Sequence, residues 1–89
     1  MCTIIIPPLM RDVTGGAERV TVPGRTVREA IVALEALHPG ARARLCVGDD
    51  LDPALALAVA TDGRISRLGL RQPVNEVTVI RFVPAIEGG

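Results

Sequence analysis

Val77-Thr78-Val79-Ile80-Arg81-Phe82-Val83, followed at once by Pro84-Ala85-Ile86-Glu87-Gly88-Gly89, is the stretch on which the reading of this chain turns. Seven residues dominated by β-branched and aromatic side chains predict a strand over 77–83. Side chains alternate between the two faces of a strand, and burying an unpaired guanidinium would be strongly unfavourable. Parity therefore turns Ile80 and Phe82 inward and Val79, Arg81 and Val83 outward, which leaves an apolar patch with one charge beside the end of the chain. Exposed apolar patches of this kind are more often interaction sites than accidents. A Gly-Gly ending arises by chance in roughly one chain in two hundred. Two residues without Cβ can thread a channel too narrow for any side chain, which would make the terminal carboxylate a reactive group. The plain alternative is a frayed end, since termini tolerate small residues.

Working back from this ending, the most secure element is a helix. Thr26-Val27-Arg28-Glu29 has the form of a capping box, in which the Thr26 hydroxyl takes the Glu29 amide and the Glu29 carboxylate reaches back to the Thr26 amide. Val27, Ala30, Ile31, Leu34 and Leu37 then recur at offsets of three and four and predict one apolar stripe. His38-Pro39-Gly40 ends the helix, with His38 placed as a C-terminal cap rather than as a ligand or base.

Earlier still, Thr3-Ile4-Ile5-Ile6 is a strand stopped by Pro7 and Pro8. Residues 9–13 suit a helical turn, Thr14-Gly15-Gly16 a bend, and residues 17–22 a second strand in which Val20 and Val22 alternate with Arg19 and Thr21. The chain is thus expected to open with a hairpin on a long connection.

Beyond the helix, residues 41–45 suit a short second turn, and Asp49, Asp50 and Asp52 a solvated acidic loop without the glycine and distal glutamate of a calcium loop. Residues 54–60 alternate alanine with Leu55, Leu57 and Val59, and Asp62-Gly63 follows as a hairpin turn. This predicts a central strand with its large side chains packed under the helix.

Composition narrows the function. Eighty-nine residues make one domain, and a chain of this size buries roughly 60–65% of its unfolded surface. Ten basic residues balance ten acidic ones, and Phe82 is the sole aromatic. There is no field to gather nucleic acid or anionic lipid, and little to stack on bases. Every basic residue is arginine, so no lysine amine exists to accept an isopeptide or form a Schiff base. Residues 4–10 are too short and too broken by proline for a signal peptide or a membrane span. Cys2 and Cys46 lack metal-type spacing and are expected to be reduced, structural thiols. No metal site is expected.

The order strand, strand, helix, strand, final strand and Gly-Gly is that of the ubiquitin-like β-grasp fold. The sequence resembles the small sulfur-carrier proteins that include the molybdopterin synthase small subunit and the thiamine-pathway and cysteine-biosynthesis carriers. The matching residues are Ile6-Pro7-Pro8-Leu9-Met10-Arg11 with Thr14-Gly15-Gly16, Thr26-Val27, Leu34-Glu35, Pro39-Gly40, Gly69-Leu70, Pro73-Val74 and Pro84-Ala85-Ile86-Glu87-Gly88-Gly89.

This resemblance implies an α+β, β-grasp domain over residues 1–86, with a mixed sheet of four to five strands on one main helix, and a flexible reactive tail over residues 87–89. It implies that a ubiquitin-activating-type enzyme adenylates the Gly89 carboxylate with ATP and that sulfur then replaces the adenylate to give a thiocarboxylate. Gly88 and Glu87 would form the tail, while Val79, Arg81, Val83, Pro84, Ala85 and Ile86 would meet partners. The chain would be a carrier rather than an enzyme, a cytoplasmic monomer when free. It would bind no cofactor itself, since ATP is used by the activating partner, and its second partner would be a sulfur-accepting synthase. A cysteine-type or specialised-metabolite pathway is slightly favoured over molybdopterin synthase, and the thiamine pathway stays open. Two other readings use the same residues: a ubiquitin-like modifier conjugated through Gly89, and a β-grasp binding module with no sulfur chemistry.

Overall fold

A computed structural model describes residues 1–48, 50–51, 58–61, 64–66 and 68–83. The opening hairpin forms as expected. Strand β1 (Cys2–Ile5) pairs antiparallel with β2 (Arg19–Val22), with Cys2 opposite Val22 and Ile5 opposite Arg19. In β2 the residues alternate exposed and buried, so Val20 and Val22 enter the core while Arg19 and Thr21 face solvent.

The long connection is braced by its own polar groups. Pro8 opens a 3₁₀ turn (Pro8–Met10), which is shorter than the helical turn expected over residues 9–13. The Arg11 Nε donates to the Ile6 carbonyl at 3.2 Å. The buried Thr14 hydroxyl donates to the Ala17 carbonyl at 2.9 Å. Gly15 and Gly16 both take positive φ, which lets the chain fold back over Arg11. Because Thr14 engages Ala17, β2 begins at Arg19 rather than at residue 17.

Helix α1 (Val27–Leu37) starts at Thr26, whose hydroxyl accepts the Glu29 amide at 3.2 Å. The Glu29 carboxylate accepts instead from the Arg25 amide, one residue before the expected partner, at 3.2 Å. Val27, Ala30, Ile31 and Leu34 are buried, as their spacing requires. Leu37 is not. It is 59% exposed, because the helix stops at this residue and the chain turns away through His38, which caps the end with its amide on the Leu34 carbonyl at 2.8 Å. Glu35 then accepts the amides of Gly40 and Arg42 at 3.0 Å each and so ties α1 to α2 (Ala41–Leu45).

After α2 the chain forms a two-stranded ribbon, β3 (Cys46–Val47) with β4 (Asp50–Leu51), turning at Gly48 with φ +62°. Asp50 is therefore part of a ribbon opposite Val47 rather than of an acidic loop; Asp49 and Asp52 lie outside the described residues. The expected strand over 54–60 is described only in its second half, as β5 (Ala58–Thr61), and Leu55 and Leu57 fall outside. Thr61 pairs with Arg64 of β6 (Arg64–Ser66), which makes the expected hairpin, although Asp62 and Gly63 themselves lie outside the described residues. A second 3₁₀ turn (Gly69–Arg71) follows and packs against α1.

The last strand, β7 (Val79–Val83), decides the topology. It lies parallel to β1 on one side and antiparallel to β5 on the other, giving a mixed five-stranded sheet in the order β2-β1-β7-β5-β6. The strand in the middle is thus β7, and β5 is the internal strand beside it, not the centre. One face of this sheet carries the core. Cys2, Ile4, Val20, Val22, Ile80 and Phe82 pack with Val27, Ala30, Ile31 and Leu34 of α1, and with Ala41 and Leu45 of α2. Fully burying one Val, Leu, Ile or Phe side chain contributes about 1.5–3 kcal/mol, so an aliphatic core of this extent needs no tryptophan or tyrosine.

Candidate docking face and reactive end

The polar turn before β7 fixes where that strand begins. The Thr78 hydroxyl accepts the Asn75 amide at 2.9 Å and donates to Asn75 Oδ1 at 3.1 Å, while Oδ1 also accepts the Val77 amide at 2.9 Å. Thr78 is buried, and its carbonyl takes the Thr3 amide at 3.0 Å. This Asn75 to Thr78 turn excludes Val77 from the expected strand and leaves it 76% exposed.

From Val79 onward the alternation follows the expected parity. Ile80 is fully buried and Phe82 is 8% exposed, whereas Arg81 is exposed and Val79 half-buried. Val83 pairs with Ala58 in the backbone ladder. Pro84, Ala85, Ile86, Glu87, Gly88 and Gly89 lie outside the described residues, as does any boundary between domain and tail at residue 86.

The solvent face of the sheet is wider than the last strand alone, and the additional residues come from the opening hairpin. Thr3 stands beside Val79 in the parallel register and Thr21 on its other side; Ile5 stands opposite Arg19. Thr3 and Ile5 are half-buried, and Arg19 and Thr21 are exposed. The described part of this face therefore adds threonine, isoleucine and a second cation to the patch expected from the last strand alone. The sequence signal for Arg19 and Thr21 was their alternation with Val20 and Val22. Their place beside Arg81 depends on the parallel pairing of β1 with β7, which no local pattern encodes.

On the opposite side, next to α1 and α2, an open depression of about 440 Å³ is lined by Glu35, Arg42, Ala43, Cys46 and Gly48. It lacks the enclosure of a small-molecule site. Cys2 is 1% exposed, and its Sγ donates to the Val22 carbonyl at 3.5 Å. Burial pushes its thiol pKa up, against the opposing effects of a backbone hydrogen bond and the positive charge at the start of the chain. A protonated, enclosed thiol is a poor nucleophile. Among the described residues, no three His, Cys, Asp or Glu side chains are grouped so as to hold a metal, and no helix is long and apolar enough to cross a membrane.

A scan against protein families matches residues 4–89 to the ThiS family. The chain belongs to the ThiS family. The ThiS-family match begins at Ile4, within β1, and extends through Gly88 and Gly89. Among solved structures, the Amycolatopsis orientalis BexX/CysO complex contains a chain 32% identical, with a TM-score of 0.84 and 100% of both chains covered. Mycobacterium tuberculosis CysO, described as an antigen, is 25% identical with a TM-score of 0.81, covering 97% of this chain and 100% of the other. SAMP1 from Haloferax volcanii, at 24% identity and a TM-score of 0.68 over 99% of this chain and 98% of that one, shares the fold. No curated protein matches the sequence. These likenesses identify a small ubiquitin-like sulfur-carrier protein with a β-grasp fold, of a kind that binds protein partners, as the BexX/CysO complex illustrates.

Proposed function

We propose that this chain carries sulfur as a C-terminal thiocarboxylate on Gly89 for a biosynthetic pathway of the cysteine type. The observation that carries the reading is the family match over residues 4–89, from β1 to Gly88-Gly89, on a fold whose middle strand is the last described element before those glycines in the sequence.

A carboxylate is a poor acyl donor, because its leaving group would be oxide. Attack of the Gly89 carboxylate on the α-phosphorus of ATP gives an acyl adenylate and releases pyrophosphate, and a sulfur nucleophile then displaces AMP from the carbonyl carbon. The product thiocarboxylate is a sulfur nucleophile in its own right. The catalytic groups for these steps belong to the adenylating partner, which also binds the ATP. The chain contributes a folded handle and an end thin enough to enter a narrow channel. It acts as a co-substrate of that enzyme and of a sulfur-accepting synthase rather than as an enzyme, holds no cofactor of its own, and works in the cytoplasm, where ATP and reduced sulfur are available.

The deciding experiment is intact-mass measurement after incubation with ATP, a sulfide source and each ubiquitin-activating-type adenylating enzyme of the source genome. The expected result is a gain equal to the difference between one sulfur and one oxygen atom, located on the C-terminal peptide. An unchanged mass with every such enzyme would overturn the reading.

A further inference from the structure

We infer that Arg19 is a second docking residue, and that Arg19, Ile5 and Arg81 form a row across the sheet that receives a partner surface bearing carboxylates on either side of an apolar side chain. The inference rests on the carrier reading above and names the chemistry of its adenylating partner. The row follows from the registers. Arg19 of β2 pairs with Ile5 of β1. The parallel register sets Thr3 beside Val79 and Ile4 beside Ile80, so the next step along both strands brings Ile5 beside Arg81. Arg81 pairs in turn with Ala60 of β5.

Neighbouring strands are about 4.8 Å apart, which separates the backbone positions of Arg19 and Arg81 by about 10 Å, with one isoleucine between them. Both arginines are exposed. Neither takes part in an ion pair or side-chain hydrogen bond among the described residues, whereas Arg11 is held by Glu18 at 3.4 Å and Arg44 by Asp12 at 2.7 Å. Thr3, Ile5, Thr21 and Val79, the other described positions on this face, carry no charge. The described part of the face thus presents two cations with no charged partner among the described residues, astride an apolar residue, on a molecule whose formal net charge is zero. The complement is acidic and apolar together. Exposed charges on a docking surface act chiefly on the encounter and on its orientation.

Stopped-flow association with the adenylating enzyme that converts the wild type tests this at low and high ionic strength. Arg19→Glu and Arg81→Glu should each slow association by about three- to tenfold at low ionic strength, and the differences should shrink in high salt as screening shortens the field. Arg19→Gln should fall between wild type and Arg19→Glu, with circular dichroism unchanged for all three. Arg71→Glu reverses an exposed charge on the helix side of the sheet and should alter the rate by less than about twofold. If Arg19→Glu behaves like Arg71→Glu while Arg81→Glu is slow, the row is wrong and the carrier reading stands. If wild type gains no sulfur with any adenylating enzyme, the carrier reading falls first and takes the row with it.

Discussion

A Cβ placed on Gly24 would stand 2.8 Å from the backbone nitrogen of Ala30, closer than a carbon and an amide can approach. Gly24 sits at φ +153° between β2 and α1, so the link from the opening hairpin to the helix passes directly over the first turn of that helix. Gly24→Ala must push the helix off the sheet or rebuild the link. We expect a loss of about 2–4 kcal/mol, the range of steric and backbone-strain mutants, measured by urea denaturation. Gly15→Ala, at φ +67° but in open space, should cost only about 1 kcal/mol.

Deletion of Gly89, or addition of one residue after it, should abolish the gain of sulfur mass with an unchanged melting temperature, because a terminal glycine has no side chain to bury. A fall in melting temperature matching the loss of activity would show the end to be structural.

The two faces of β7 should separate in mutagenesis. Phe82→Ala removes a buried aromatic and should cost about 3–5 kcal/mol, reducing activation only in proportion to unfolding. Arg81→Glu should leave the unfolding curve within about 0.5 kcal/mol of wild type while slowing the partner.

Cys2 gives a pH dependence of known sign. Its folded pKa lies above the ordinary thiol value because the site is desolvated. Below that ordinary value, about 8.5, the thiol is protonated in both states and its contribution is fully present. As pH rises further the unfolded thiol ionises first, so stability falls until the folded thiol titrates as well. The sequence has no tyrosine and no lysine, so no phenol or side-chain amine masks the thiol in this range. Cys2→Ala should therefore flatten the alkaline decline of the melting temperature, and native Cys2 should resist maleimide until the protein unfolds.

Much of this was legible in the residues because it was local. The Thr26 cap needs only Glu29 three positions on, and the parity of β7 follows from a single arginine among apolar neighbours. Leu37 could not be placed in this way, since its spacing continues the stripe but the helix ends at that residue and the chain turns away through His38. Asp50 was obscured for a similar reason: three close carboxylates suggest a loop, yet the positive φ of Gly48 allows a ribbon that pairs Asp50 with Val47. Arg19 is the plainest case. Its outward direction was readable, but its neighbour across the sheet was not, because Arg81 lies more than sixty residues away in the chain and reaches it through a parallel pairing.

Because β7 lies between β1 and β5, the sheet is held together by the strand that is synthesised last of the five. A chain interrupted before Val79 has one ribbon from its opening and another from its second half, with nothing to join them. It therefore cannot bury Ile4 against Ile80, it leaves α1 without Ile80 and Phe82 beneath it, and it never brings Arg19 and Arg81 onto one surface. If the proposed face is the one the partner reads, incomplete copies would be removed from competition by topology alone: a molecule able to dock would, by that fact, have been translated through its last strand.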